Sequence, residues 1–256
     1  MTASQITFGR VLRSEWTKLY TLRATWFVFG MIPQLLIGLS AIIGWTAARE
    51  PAPATPVADQ AVGGGFLLFA LAIGVFGVLM MTSEYGGGLI RVTLTAVPRR
   101  LPVLWAKALV LVAVTAPIMV AAYLLAFLAN QAFVDETARL TLGDPHIVRA
   151  ILGVAAATVA VGLLGLGIGT MVRHTAGAIA VFVAVIVLLP PVLSGALPAP
   201  VRETVLPYLP TPALQAMYEI DGTGGVLEPV PGTVVVLGWI VLALCGAAVM
   251  LRGRDA

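Results

Sequence analysis

Residues 147–171 read IVRAILGVAAATVAVGLLGLGIGTM, a stretch with a single charge, Arg149, at its third position. A helix of about 20 apolar residues crosses the hydrocarbon core of a bilayer, and this stretch supplies them without a break. Five further blocks of the same kind lie on either side, at 25–46, 62–83, 103–130, 176–197 and 232–251. Across the 256 residues, 59% are hydrophobic and 11% charged, with a mean hydropathy of +1.00. A soluble domain is about 45–50% apolar and about 25% charged. The apolar residues also stand in blocks rather than as one face of each helix. The predicted fold is therefore an all-α membrane protein: a segment 1–24, a six-span domain over 25–251 and a short tail, 252–256.

Inside the quoted stretch, Gly165 and Gly169 stand four apart, and Gly153 with Ala157 continues the spacing. Small residues at this interval let two helices approach closely. A contact within one chain and a seam between two chains both fit. Pro33, next to Gln34 in the first block, and Pro117 in the third predict kinks, while Pro190-Pro191 predicts the end of the regular part of the fifth span.

Lysine and arginine set orientation. With a cytoplasmic N-terminus, the inside segments hold Arg10, Arg13, Lys18, Arg23, Arg91, Arg99, Arg100, Lys107, Arg173, Arg252 and Arg254. The outside loops hold only Arg49, Arg139, Arg149 and Arg202. Both termini are therefore expected in the cytoplasm of a multi-pass cell-membrane protein. The first span follows a charged segment and is too long for a signal-peptide core, so no cleavage is expected. The pI near 9.4 follows from this topogenic charge, and nucleic acid is not an expected partner. Cys245, alone and inside the last block, is read as a packing residue, and His146 and His174 fall on opposite sides of the membrane.

Before the first span, Phe8, Val11, Leu12, Trp16 and Leu19 recur at helical spacing, opposite Arg10, Arg13, Ser14, Thr17 and Lys18. Such a helix suits the membrane interface, in contact with lipid, with Trp16 at headgroup depth. Glu15 sits near the apolar edge, and its expected partner is Lys18, one turn away. The alternative is a lead-in whose charges only fix topology.

The stretch Ser83-Glu84-Tyr85-Gly86-Gly87-Gly88-Leu89-Ile90-Arg91-Val92-Thr93-Leu94-Thr95-Ala96-Val97-Pro98-Arg99-Arg100 joins spans two and three. Its glycines lack the Lys-Ser/Thr pair of a phosphate loop. They allow a sharp turn, and Pro98 ends any helix at Val97. Between these limits Leu89, Val92 and Ala96 share a face. A short amphipathic helix suited to a soluble partner and a solvated topogenic loop are both compatible with the pattern.

Arg13 through Leu19, Ser83-Glu84-Tyr85, Ile90 through Leu94, Val97 through Arg100 with Lys107, and more weakly Leu209-Pro210-Thr211-Pro212-Ala213, resemble permease subunits of ABC-2 type transporters, especially short actinobacterial ones. The resemblance implies a dimer of permease subunits, identical or related, that associates with a separate ATPase subunit binding ATP and magnesium. It implies that Leu89, Ile90, Arg91, Val92 and Leu94 belong to a coupling helix held by Glu84. It also implies that Phe8, Arg13, Glu15, Trp16 and Lys18 belong to an interfacial connecting helix. The glycines at 86 and 87 depart from the larger polar residue of many relatives.

No block carries an ionisable residue near its middle, which disfavours an ion-coupled carrier, and no nucleophile, base or metal cluster lies at membrane depth for an enzyme. Glu84 and Lys107, at span ends, are within reach of the headgroups. In the last outer loop, 198–231, Thr211 is a candidate N-cap for a helix from Ala213 to Ile220. The expected function is export of an apolar or amphipathic substrate by an ATP-driven transporter. An ion-coupled carrier and a non-transporting scaffold or immunity protein are the alternatives.

Overall fold

The computed structural model describes residues 7–21, 23–47, 49, 61–86, 101–134, 136, 139–220 and 227–253. Among them every regular element is helical. Among the described residues six helices are long and apolar enough to cross a membrane: Thr25–Ala47, Ala61–Tyr85, Leu101–Gln131, Ile147–Val172, Thr175–Ala196 and Pro229–Arg252. We call them spans one to six. They alternate in direction, so Lys107 and Glu84 lie at one end of the bundle, here the near end, and Asn130 and Arg149 at the other, the far end. A separate helix, Phe8–Thr21, precedes span one and packs on span three.

Span four is the hub. In its most apolar stretch 72% of the residues are buried, against 17% in span five and 22% in span one. Apolar side chains gain little by leaving lipid for other apolar side chains, so close packing has to hold spans together. Glycine makes that packing possible. A Cβ added to Gly165 would lie 2.1 Å from the Gly74 carbonyl oxygen, and one added to Gly77 would lie 2.1 Å from that of Gly162. Gly169 meets the Val78 backbone on the same line. The small-residue spacing of span four is thus a seam within one chain. Its other half, Gly74 and Gly77 of span two, was not singled out from the sequence.

Three buried threonines of the spans are bonded to their own helices. Thr158 donates to the Val154 carbonyl at 2.9 Å and takes the Tyr123 hydroxyl at 3.0 Å. Thr82 and Thr170 likewise donate to carbonyls one turn back. Gln34 faces outward from span one. So does Cys245 from span six, which corrects its expected packing role.

Pro33 and Pro117 sit within continuous helices. Span five departs from regularity before its prolines rather than at them: Thr175–Val183 is α-helical, Ala184–Leu188 forms a π turn, and Leu189–Ala196 is α-helical again. Pro190 has no N–H for the carbonyl of Ile186, four residues back. The Thr211 hydroxyl donates to that carbonyl instead. Thr211 is therefore not an N-cap. It lies in the first turn of a helix running Pro210–Ala216, earlier than the expected start at Ala213. Ala199–Val205 and a 3-10 turn, Leu206–Tyr208, precede it. Arg149 of span four donates to the carbonyls of Met217 and Glu219, and the Trp239 indole of span six donates to the Tyr208 carbonyl at 2.9 Å.

Candidate functional site

Helix Phe8–Thr21 buries one row, Val11, Glu15 and Leu19, four residues apart. Val11 and Leu19 pack with span three and its neighbours. This row carries Glu15 into the bundle at 3% exposure. Phe8 and Trp16, grouped with Val11 and Leu19 in the sequence, turn outward instead, as does Arg13.

At the same level span two carries Glu84 one residue before its end and span three carries Lys107 in its second turn, which are 6% and 2% exposed. The three buried charges and Lys18 close a ring of alternating sign. Lys18 Nζ reaches Glu15 Oε1 at 2.7 Å and Glu84 Oε1 at 2.9 Å. Lys107 Nζ reaches Glu15 Oε2 at 2.7 Å and Glu84 Oε1 at 2.6 Å. The expected Glu15–Lys18 pair is present. The expectation that Glu84 and Lys107 extend to the headgroups is corrected: Glu15 of the N-terminal helix comes to them, and all three are enclosed.

The ring is electrically neutral, and that is why it can exist. An isolated buried charge is strongly unfavourable, whereas paired charges with hydrogen bonds recover much of the lost solvation. Burial pulls the Lys18 ammonium down, but hydrogen bonds and charge attraction from Glu15 and Glu84 outweigh it, so its pKa stands above the ordinary 10.5. A pocket of about 380 Å³ adjoins the ring, with Thr21, Met80 and Ser83 in its wall.

The residue after Glu84 extends the joint to the other side of the bundle. The Arg173 guanidinium stands 5.4 Å from the centre of the Tyr85 ring, within cation–π range, and donates to the Met250 carbonyl of span six at 2.9 Å. Arg173 adopts φ 62°, the left-handed geometry of a helix C-terminus, and its N–H returns to the Gly169 carbonyl of span four. Glu84 and Tyr85 therefore contact, directly or through one residue, the N-terminal helix and spans three, four and six.

Sequence reasoning found Glu84, Glu15 and Lys18, but did not foresee Lys107 as the member that closes the ring. The signal was a lone lysine seven residues into an apolar span, which needs a counter-charge at that depth. Leu89, Ile90, Arg91, Val92 and Leu94 of the expected coupling helix lie outside the described residues. Among the described residues no group of His, Cys, Asp and Glu could hold a metal ion. No protein-family model matches the sequence, and no curated protein matches it.

Proposed function

We propose that this chain is the membrane-spanning permease subunit of an ATP-driven ABC-2 type transporter, an exporter of an apolar or amphipathic substrate, with the near end in the cytoplasm. The observation that carries the reading is the placement of Glu84, which the ring of charges ties to Glu15, Lys18 and Lys107. Glu84 stands five residues before Leu89, where the segment that resembles a coupling helix begins. A push on that segment is passed through Glu84 to the N-terminal helix and span three, and through Tyr85 and Arg173 toward span six. A permease driven from outside its own chain needs such a joint.

Two permease subunits, this chain twice or this chain with a relative, would enclose the pathway and bind two ATPase subunits. The energy comes from outside because the charges within the spans, Glu84, Lys107, Arg149 and Arg252, all lie near span ends. None is placed to carry an ion through mid-membrane.

The test is purification of the tagged chain in mild detergent beside a Leu89→Asp/Val92→Asp double variant. The wild type is expected to retain a subunit with ATPase motifs, identified by mass spectrometry. The variant should lose it while eluting at the same volume in size exclusion. If no ATPase is retained in several mild detergents, and transport stops when ion gradients are collapsed, the reading is overturned in favour of an ion-coupled carrier.

A further inference from the structure

A groove of about 370 Å³ opens where the N-terminal helix meets spans one and three. Trp16 and Tyr20 of that helix, Trp26 and Gly30 of span one, and Pro117 and Ile118 of span three line it. The ring of charges does not contribute to the groove, whose chemistry is independent of the transporter reading.

The three aromatic rings form a row, with centroids 6.0 Å apart between Trp16 and Tyr20 and 5.7 Å between Tyr20 and Trp26. The Trp26 indole N–H is committed to the Tyr20 carbonyl at 3.0 Å, so its polar edge has a partner and the rest of the ring is hydrocarbon surface. Gly30 keeps the slot open, since no heavy atom lies within 4 Å of where its Cβ would stand. Arg13 is exposed, one turn before Trp16 and two before Tyr20, and so on the same side of the helix. The slot runs from Trp16, Tyr20 and the first turns of span one, where tryptophan and tyrosine mark the membrane interface, to Ala113–Ile118 in the middle of span three. An apolar slot that starts at the interface and runs inward, with an exposed guanidinium near its mouth, matches a hydrocarbon chain joined to an anionic head.

We infer that the groove binds one anionic phospholipid of the leaflet in which the N-terminal helix lies. An acyl chain packs between Trp16, Trp26 and Ile118, and the phosphate sits on Arg13. Leu19 lines both this groove and the charged pocket behind it. Occupancy of the groove therefore supports the seat of the same helix that brings Glu15 to Lys107.

Native mass spectrometry of the full chain, titrated with dioleoylphosphatidylglycerol and dioleoylphosphatidylcholine, tests this. The wild type is expected to hold one phosphatidylglycerol at least tenfold more tightly than Gly30→Phe. Gly38→Phe is the control, because Gly38 is equally open on the same span but does not line the groove. It should behave as wild type. Ala113→Trp, which fills the slot from the exposed face of span three, should reproduce the loss if Gly30→Phe fails to fold. Arg13→Gln should remove most of the preference for phosphatidylglycerol over phosphatidylcholine. Equal binding by wild type and the filled variants, equal loss in Gly38→Phe, or an unchanged headgroup preference in Arg13→Gln would each overturn the assignment.

Discussion

The two ends of the bundle are fastened by different chemistry. At the near end, four full charges from three separate stretches of chain lie within 2.9 Å of their partners. At the far end, among the described residues, the following ties run to neutral oxygens. Asn130 donates to the Ser40 carbonyl at 3.0 Å, Gln131 accepts from the Leu140 N–H at 2.8 Å, Arg149 holds the carbonyls of Met217 and Glu219, and Thr211 holds that of Ile186. Attraction between charges falls slowly with distance and depends little on angle, whereas a hydrogen bond to a carbonyl weakens steeply once bent. The near end can thus shift as a unit and keep its cohesion. The far end is built to hold one geometry.

The sharpest way to break this contrast is Lys107→Met. It leaves Glu15 and Glu84 facing each other in the bundle, and removing one partner of a buried pair costs about 3–5 kcal/mol. The thermal unfolding midpoint in detergent should fall further than for any far-end substitution, and adding Glu15→Gln should restore part of the loss. A drop no larger than that of Thr211→Val would mean that the ring does not hold the near end.

Thr211→Val should cost less, about 1–3 kcal/mol, the penalty for stranding one buried carbonyl. Its effect should be local: amide hydrogen exchange should quicken over 205–216, with spans two to four unchanged. Uniform quickening would show that the far end is not a separate fastening.

The smallest effect belongs to Lys18→Gln, since Lys18 is partly exposed and solvent screens its pairs. Its raised pKa sets the direction. The stabilisation is complete below the ordinary 10.5 and is lost as pH climbs through the higher folded-state value. The gap in unfolding midpoint between wild type and variant should hold steady from neutral pH to about 10 and close above 10.5. A gap that closes below about pH 8 would assign the effect to another group.

The six spans were legible because a bilayer imposes a length. The expected block 147–171 became Ile147–Val172, and 62–83 became Ala61–Tyr85. Within the site, Glu15–Lys18 was legible because one helical turn brings the two residues together. The partners of Lys107 were not, since they lie 92 and 23 residues away and only tertiary packing gathers them. Thr211 misled for a related reason. Its position before a proline suggested a cap, while its hydroxyl answers a donor missing from Pro190, in a different element. The glycines of span four announced close packing, but the identity of their partner depended on Gly74 and Gly77, which only the fold sets opposite them.

A π turn holds one residue more than an α turn, so every side chain beyond Leu188 is rotated by about 100° from its place on a uniform helical wheel. Ala178, Phe182 and Ile186 form one buried row at intervals of four. The next position in that row is Pro190, and none of Leu189–Ala196 is buried. Span five therefore has two azimuths. Its first half shows one flank to the bundle, and its second half turns another flank outward, so a neighbour mapped against the first half by labelling or alignment does not extend to the second.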